Sequence, residues 1–125
     1  MKKILNYING ELLEATSGQW LDNYNPAEGK VYSQIPDSDE KDIELAVVAA
    51  KKAFPIWSAM STSDRSNMLL KIADGIDREF EALAKAESDD NGKPVKLAKA
   101  VDIPRASSNM RFFATAILHF ESQAH

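Results

Sequence analysis

The sequence predicts an α+β segment in which short strands come first and three long helical segments follow. Up to residue 36, short apolar runs are separated by Pro, Gly and Asn, which is typical of strands joined by turns. From residue 37 onward, apolar residues recur at about every 3.6 positions, the period of an amphipathic helix. We therefore divide the chain into a strand and hairpin region, 1–36, and a helical region, 37–125, which together form an incomplete part of one domain.

The composition is typical of a soluble globular protein, with 44% apolar and 27% charged residues. The 15 Lys and Arg are outnumbered by 19 Asp and Glu, which gives a net charge of -4. This balance argues against nucleic acid as a partner, because such binding needs clustered positive charge. No long apolar run predicts a membrane span or a signal peptide, so we expect a cytoplasmic protein with no membrane partner. The absence of cysteine excludes a disulfide, a thiolate metal site or a cysteine nucleophile within this sequence.

A β-hairpin is predicted at Asn9-Gly10, because both residues tolerate the positive φ that a two-residue hairpin turn requires. The apolar pairs Tyr7-Ile8 and Leu12-Leu13 flank this turn. Two further strands are expected at Trp20-Leu21 and at 31–35, separated by the turn residues of 25–29 and closed by Pro36.

The first helix is expected to begin at Asp39, a suitable N-cap, with Asp42 in the first turn where the helix dipole favours negative charge. Its apolar stripe contains Ile43, Ala46, Val47, Ala50 and Phe54. Pro55 is expected to end or bend this helix near Phe54, because proline cannot donate a backbone hydrogen bond.

A second, long helix is expected after Ser61, which can form a capping box with Asp64. Asn91-Gly92 offers a left-handed stop, and Gly75 weakens the helix only modestly. Its stripe contains Leu69, Ile72, Ala73, Ile76, Phe80, Leu83 and Ala84.

A third helix is expected to begin at Pro94, which suits a first turn, and to be kinked or divided at Pro104. Its later stripe contains Met110, Phe113, Ala114, Ile117 and Phe120. The short strands offer little sheet to cover three broad apolar faces. The sequence therefore predicts a segment that needs a partner surface or associates with itself.

Six sequence strings, in order and spacing, resemble the opening of the aldehyde dehydrogenase superfamily. They are NYINGE (6–11), NPAEGKV (25–31), AAKKAFPIWS (49–58), RSNMLLKIAD (65–74), ESDDNGKP (87–94) and DIPR (102–105). Within the superfamily, VDIPRA (101–106), NMRFFA (109–114) and ILH (117–119) look most like 2-aminomuconic and 2-hydroxymuconic semialdehyde dehydrogenases, followed by betaine aldehyde dehydrogenases. Asp89 departs from the many members that have an apolar residue there, and we expect this to change a surface contact.

The resemblance implies a parent enzyme that oxidises a small semialdehyde to the acid with NAD. In that family a cysteine thiolate attacks the aldehyde, hydride passes to the nicotinamide, and a glutamate activates water. This sequence has no Cys and no dinucleotide-binding glycine turn, so we expect no catalytic or cofactor-binding residue in it. The strand and helical regions would then be part of the NAD-binding domain of the parent, and the segment alone would be inactive.

A monovalent cation site is the one binding function that the resemblance implies for this segment. Similar enzymes bind structural Na⁺ or K⁺ through an acidic residue, here Asp102, and through backbone carbonyls, here those of Asn23 and Tyr24, with a further carbonyl from downstream. Oxygen ligands suit such hard ions. The alternative is an Asp102 that caps a helix or forms a salt bridge near Pro104.

Other candidate residues have simpler structural interpretations. The carboxylates of Glu87, Asp89 and Asp90 are interpreted as a solvated helix end rather than as an acid–base or metal site. His119 and His125 are too sparse for a ligand set, and the string NGKP (91–94) is interpreted as a helix-to-helix turn rather than a phosphate loop. Trp20 and Trp57 are expected to be packing anchors.

Two functions of different class remain open. The first is the N-terminal segment of a dehydrogenase, completed by the remainder of the dehydrogenase chain. The second is a stand-alone interaction or self-association module derived from such an enzyme. The first is favoured because a module would be expected to have polar covers on its exposed helix faces.

Overall fold

The computed structural model describes residues 1–121, which belong to two compact units, Met1–Ser58 and Ala59–His125. The first unit contains the strands and most of the first helix, and the second contains the remaining helices. Short strands followed by helices confirm the predicted α+β order. Among the residues described, no helix is both long and apolar enough to span a membrane.

The first unit contains a small sheet and a separate hairpin. The strands are β1 (Lys2–Lys3), β2 (Asn6–Ile8), β3 (Glu11–Leu13), β4 (Trp20–Asn25) and β5 (Lys30–Pro36). In the sheet, β5 lies between β1, to which it is parallel, and β4, to which it is antiparallel. Strand β1 was not predicted, because its two lysines have no strand pattern of their own and the strand forms through backbone pairing with β5.

The predicted hairpin is confirmed. Strands β2 and β3 are antiparallel with Ile8 opposite Glu11, and the two turn residues Asn9 and Gly10 have φ of 54° and 83°. Positive φ at both positions matches the right-handed twist of the flanking strands.

Helix α1 (Glu40–Ala59) begins as predicted and ends later than predicted. The Asp39 side chain accepts from the Lys41 N–H at 2.9 Å, which satisfies a donor that the helix itself leaves unpaired. Pro55 lies inside the helix, so of the two predicted effects, an end or a bend near Phe54, the end is wrong. The carbonyl that loses its partner belongs to exposed Lys51, where water can replace the missing donor.

The second unit contains several helical segments. They are α2 (Thr62–Arg78), α3 (Phe80–Asn91), α4 (Val95–Leu97), a π turn (Ala98–Asp102), α5 (Ile103–Ala116) and a 3₁₀ turn (Ile117–His119). Ser61 caps α2 as predicted, since its hydroxyl oxygen accepts from the Asp64 N–H at 3.0 Å. The Asp64 carboxylate in turn accepts from the Ser61 hydroxyl at 2.6 Å.

The single long helix predicted between Ser61 and Gly92 is divided at Glu79, where φ is -94° and ψ is 16°. The break directs α3 so that Phe80 packs against a small core of Ala84, Ala98 and Ile103. Periodicity could not show this break, because backbone hydrogen bonds continue through it from Glu79 to Gly75 and from Leu83 to Glu79.

The predicted division at Pro104 is confirmed. The N–H of Ile103 donates to the carbonyl of Ala98, five residues earlier, so the backbone widens to a π turn directly before the proline. Pro104 then lies in the first turn of α5, where its missing N–H costs little.

Small residues allow α2 and α5 to pack closely. Ser66 and Ala73 on α2 and Ser107 and Ala114 on α5 are buried, and each pair is spaced by seven residues. This spacing returns the small side chains to the same face of each helix. The two helices therefore meet along a seam that leaves little room for larger groups.

Candidate functional site

The most developed polar arrangement of the second unit surrounds Lys93. Its Nζ lies 2.7 Å from Oδ2 of Asp102 and 3.2 Å from Oε1 of Glu87. The hydrogen bond to Asp102, followed by that to Glu87, raises the pKa of the Lys93 ammonium. Lys93 is therefore held in its charged form, which suits it to neutralise carboxylates and makes it a poor base or nucleophile.

Three neighbours hold the turn that positions Lys93. Gly92 ends α3 with φ of 80°, a left-handed conformation that confirms the predicted stop. The Asn91 side chain accepts from the Lys93 N–H at 2.9 Å, and the Ser88 hydroxyl donates to the Lys93 carbonyl at 2.7 Å. The string NGKP (91–94) is thus a helix-to-helix turn, as predicted.

The acidic residues near the end of α3 serve this turn and its helix. Glu87 also accepts from the Asn91 side chain at 2.6 Å, and Asp89 forms an ion pair with Lys85 one turn away. Asp90, the third residue of the group, lies next to Asn91 in the last turn of α3. Within residues 1–121, no group of three His, Asp or Glu side chains is arranged to hold a metal ion.

A second charged group joins α2 to α5, and sequence reasoning missed it. The Arg111 guanidinium lies 2.8 Å from Asp74 and 2.5 Å from Asp77. Hydrogen bonds from the Ser107 hydroxyl and then from Arg111 lower the pKa of Asp77. The sequence does show two aspartates one helical turn apart, a spacing that places both on one helix face. It does not show their partner, because Arg111 lies more than thirty residues away.

In the first unit, Asp42 is a buried carboxylate. Its oxygens accept from the backbone N–H of Thr16 at 2.9 Å and of Asp39 at 3.1 Å, and the first of these bonds does most to lower its pKa. Beside it lies an open cleft of about 270 Å³, lined mainly by hairpin and α1 residues: Asn6, Tyr7, Ile8, Ser38, Asp42, Ile43 and Ala46.

The residues predicted to bind a monovalent cation lie in different units. Asn23 and Tyr24 are neighbours in β4, and a bulge interrupts the pairing with β5 between them. Backbone carbonyl oxygens are ligands of the kind that suits a hard ion. Asp102 lies at the end of the π turn of the second unit, where Lys93 already supplies a positive charge. The alternative interpretation of Asp102, a salt bridge near Pro104, is the arrangement present here.

The remaining candidate residues have no catalytic partners within the described residues. His119 is exposed at the end of the 3₁₀ turn, and His125 lies outside the described residues. The ring of Trp20 is half-buried beneath the Lys3 ammonium, which lies 4.0 Å from the ring centroid. Trp57, expected to be an anchor, is 36% exposed on α1.

The glycines do not fit a dinucleotide-binding turn. Gly10, Gly18, Gly29 and Gly92 occupy separate turns with positive φ, and Gly75 lies inside α2. A pyrophosphate cradle needs glycines two and three residues apart at the start of a helix. None of the five glycines of this sequence has that spacing.

Comparison with known proteins places this backbone among dehydrogenases. The model of the aldehyde dehydrogenase family matches residues 12–125. A 2-aminomuconic semialdehyde dehydrogenase from Bos taurus is 48% identical over 94% of this chain and 24% of its own length. An aldehyde dehydrogenase from Deinococcus radiodurans is 45% identical over 93% of this chain and 22% of its own length.

The fold agrees with this similarity. An NAD⁺ complex of the aldehyde dehydrogenase from Bacillus cereus superimposes with a TM-score of 0.95 and 36% identity, covering 99% of this chain and 26% of that one. The chain therefore spans about a quarter of the length of the relatives that it matches. From the family match over most of its length, we conclude that this chain belongs to the aldehyde dehydrogenase family.

Proposed function

We propose that this chain forms the N-terminal segment of an NAD-dependent aldehyde dehydrogenase that oxidises a small semialdehyde to its acid. The observation that carries the proposal is the match of 94% of the chain to one quarter of 2-aminomuconic semialdehyde dehydrogenase. Since this sequence has no cysteine, the nucleophile that the family's chemistry needs would come from the remaining three quarters.

The role of the segment would be structural. Its ordered charged groups, Lys93 with Glu87 and Asp102, and Arg111 with Asp74 and Asp77, fix turns and helix packing rather than expose reactive atoms. Such groups suit a segment that supports an NAD-binding domain whose contacts to the coenzyme are made elsewhere. Both units would then be incomplete parts of that one domain.

A chimera tests this proposal. The matching quarter of the bovine 2-aminomuconic semialdehyde dehydrogenase is replaced by this chain, and NAD reduction by 2-aminomuconic semialdehyde is followed. We expect the chimera to be active and the 125-residue chain alone to be inactive. The proposal predicts no calorimetric NAD binding to the chain alone tighter than about 1 mM, or roughly -4 kcal/mol. An inactive but folded chimera would contradict it.

Self-association is a second candidate function, and the exposed apolar side chains of the second unit favour it. Ile72, Leu83, Phe113 and Phe120 of the predicted stripes are exposed, whereas Ile76 and Phe80 pack against the core. Burial of a large apolar side chain contributes roughly 1.5–3 kcal/mol, so a few such residues can drive association. Light scattering over a concentration series tests it, and a monomer at every concentration would exclude it.

A further inference from the structure

The chain contains two Asn-Gly pairs with the same intrinsic chemistry, Asn9-Gly10 and Asn91-Gly92. In such a pair the backbone nitrogen of the glycine can attack Cγ of the asparagine, because glycine has no Cβ to obstruct the approach. Both asparagines are exposed, so access to water does not distinguish them. A difference in their reactivity must come from the way in which the fold holds each pair.

Three hydrogen bonds hold the pair Asn91-Gly92. The Asn91 side chain donates to Oε1 of Glu87 at 2.6 Å, and its oxygen accepts from the Lys93 N–H at 2.9 Å. The Gly92 N–H, whose nitrogen is the nucleophile, donates to the carbonyl of Ser88 at 2.9 Å. Attack on Cγ requires the side chain to rotate and the nitrogen to leave its acceptor. This pair therefore reacts only when the end of α3 opens.

The pair Asn9-Gly10 has none of these restraints. The closing hydrogen bonds of a two-residue hairpin turn join the flanking residues, here Ile8 and Glu11, and leave the N–H of Gly10 unused. In the part of the chain that the structure describes, the Asn9 side chain has no hydrogen bond. A Cβ built at Gly10 would meet no atom within 4 Å, so the space around the nucleophile is open. A turn of this kind changes conformation without opening a helix.

We infer that Asn9 is a site of spontaneous deamidation in the folded protein, and that the fold protects Asn91 from the same reaction. The Gly10 nitrogen loses its proton to hydroxide or another base and forms a bond to Cγ of Asn9. The bond between Cγ and Nδ2 then breaks, and ammonia leaves with a proton taken from solvent. Water opens the resulting succinimide at either carbonyl, which gives aspartate or isoaspartate without oxidation or reduction.

The two products affect the hairpin differently. Aspartate leaves the main chain unchanged and, like asparagine, tolerates the positive φ of position 9. Isoaspartate adds a methylene group to the main chain, so Ile8 cannot stay opposite Glu11 across a two-residue turn. The aspartate form should therefore keep the β2–β3 pairing, and the isoaspartate form should lose it.

Incubation of the 125-residue chain at mildly alkaline pH tests the inference, with peptide mass spectrometry to follow each asparagine separately. In concentrated guanidinium chloride the two pairs should react at equal rates, which gives their intrinsic reactivity. In native buffer Asn91 should react at least about 10-fold more slowly than Asn9. Equal rates in native buffer, or a faster reaction at Asn91, would overturn the inference.

A pair of variants tests the cause of the protection. Glu87→Ala removes the acceptor of the Asn91 side chain and should accelerate deamidation at Asn91 while leaving the rate at Asn9 unchanged. The control Glu81→Ala also removes an ion pair of α3, that with Lys99, and should change neither rate. An Asn91 rate unaffected by Glu87→Ala, or raised equally by both variants, would refute the protection by these hydrogen bonds.

Discussion

The carboxylate of Asp42, in the first turn of α1, accepts a hydrogen bond from the backbone N–H of Thr16 at 2.9 Å. The same carboxylate accepts from the Asp39 N–H, so one buried group connects the loop after β3 to the start of the helix. Hydrogen bonds from backbone N–H groups favour the ionised form of a carboxylate, and at Asp42 they outweigh burial, which favours the neutral form, so that its pKa is lowered. The ionised carboxylate therefore contributes to the link between this loop and the helix.

Asp42→Asn should lower the unfolding midpoint of the chain and flatten its acid dependence. An amide has one acceptor oxygen and cannot replace both bonds. Because the pKa of Asp42 is lowered from 3.8, its contribution to stability is fully present above that pH and is lost as the pH falls through the lowered value. Thermal unfolding between pH 7 and pH 2 measures this, with exposed Glu40→Gln in the same turn as the control. Equal pH dependence in wild type and Asp42→Asn would contradict the prediction.

Gly92→Ala and Gly75→Ala should change stability in opposite directions. Gly92 has φ of 80°, where a Cβ costs roughly 1–2 kcal/mol, so the alanine variant should be less stable. Gly75 lies inside α2, where an added Cβ meets only the Arg78 side chain at 3.6 Å. Alanine there should add roughly 0.5–1 kcal/mol. Urea unfolding of both variants tests the pair, and destabilisation by Gly75→Ala would show that α2 tolerates no side chain there.

The elements predicted correctly are those that local chemistry decides. Asn9-Gly10, Ser61 and Gly92 satisfy turn and cap geometry with their own or adjacent backbone, so their residue types are sufficient evidence. The break that was not predicted involves a distant partner instead. The break at Glu79 follows from the packing of Phe80 on residues of the π turn and α5.

The candidate site shows the same limit. The turn at 91–94 was predicted. The ion pair of Lys93 with Asp102 depends on how α3 packs against the π turn, and the apolar periodicity of the sequence does not predict that packing. Asp42 was predicted as a favourable charge in a first turn. Its burial and its hydrogen bond to Thr16, 26 residues away, could be seen only in the structure.

Ala73→Leu should destabilise the second unit by roughly 1–3 kcal/mol, because it adds volume to the close seam between α2 and α5. Ala73 is fully buried, and Ala114 on the facing helix is also fully buried, so neither backbone can move apart without losing contacts elsewhere. Chemical unfolding of Ala73→Leu beside exposed Lys71→Leu, which adds the same side chain two residues earlier, isolates the effect. A similar loss in both variants would mean that the seam is not tightly packed.

The last prediction concerns the proposed cation site and its competitor. If Asp102 binds Na⁺ or K⁺ in the complete enzyme, the ion competes with the Lys93 ammonium, which lies 2.7 Å from Oδ2 of the carboxylate. The isolated chain should therefore unfold at the same temperature in K⁺ and in tetramethylammonium. The Asp102→Asn variant of the isolated chain should likewise have equal unfolding temperatures in the two cations. In the chimera, Lys93→Gln removes the competitor and should increase the stabilisation by K⁺, whereas Lys93→Gln combined with Asp102→Asn should abolish it. Lys85→Gln, which alters the ion pair with Asp89 instead, is the matched control for the loss of a lysine. A clear stabilisation of the isolated wild-type chain by K⁺ would mean that 125 residues already complete the site, and that no downstream carbonyl is needed.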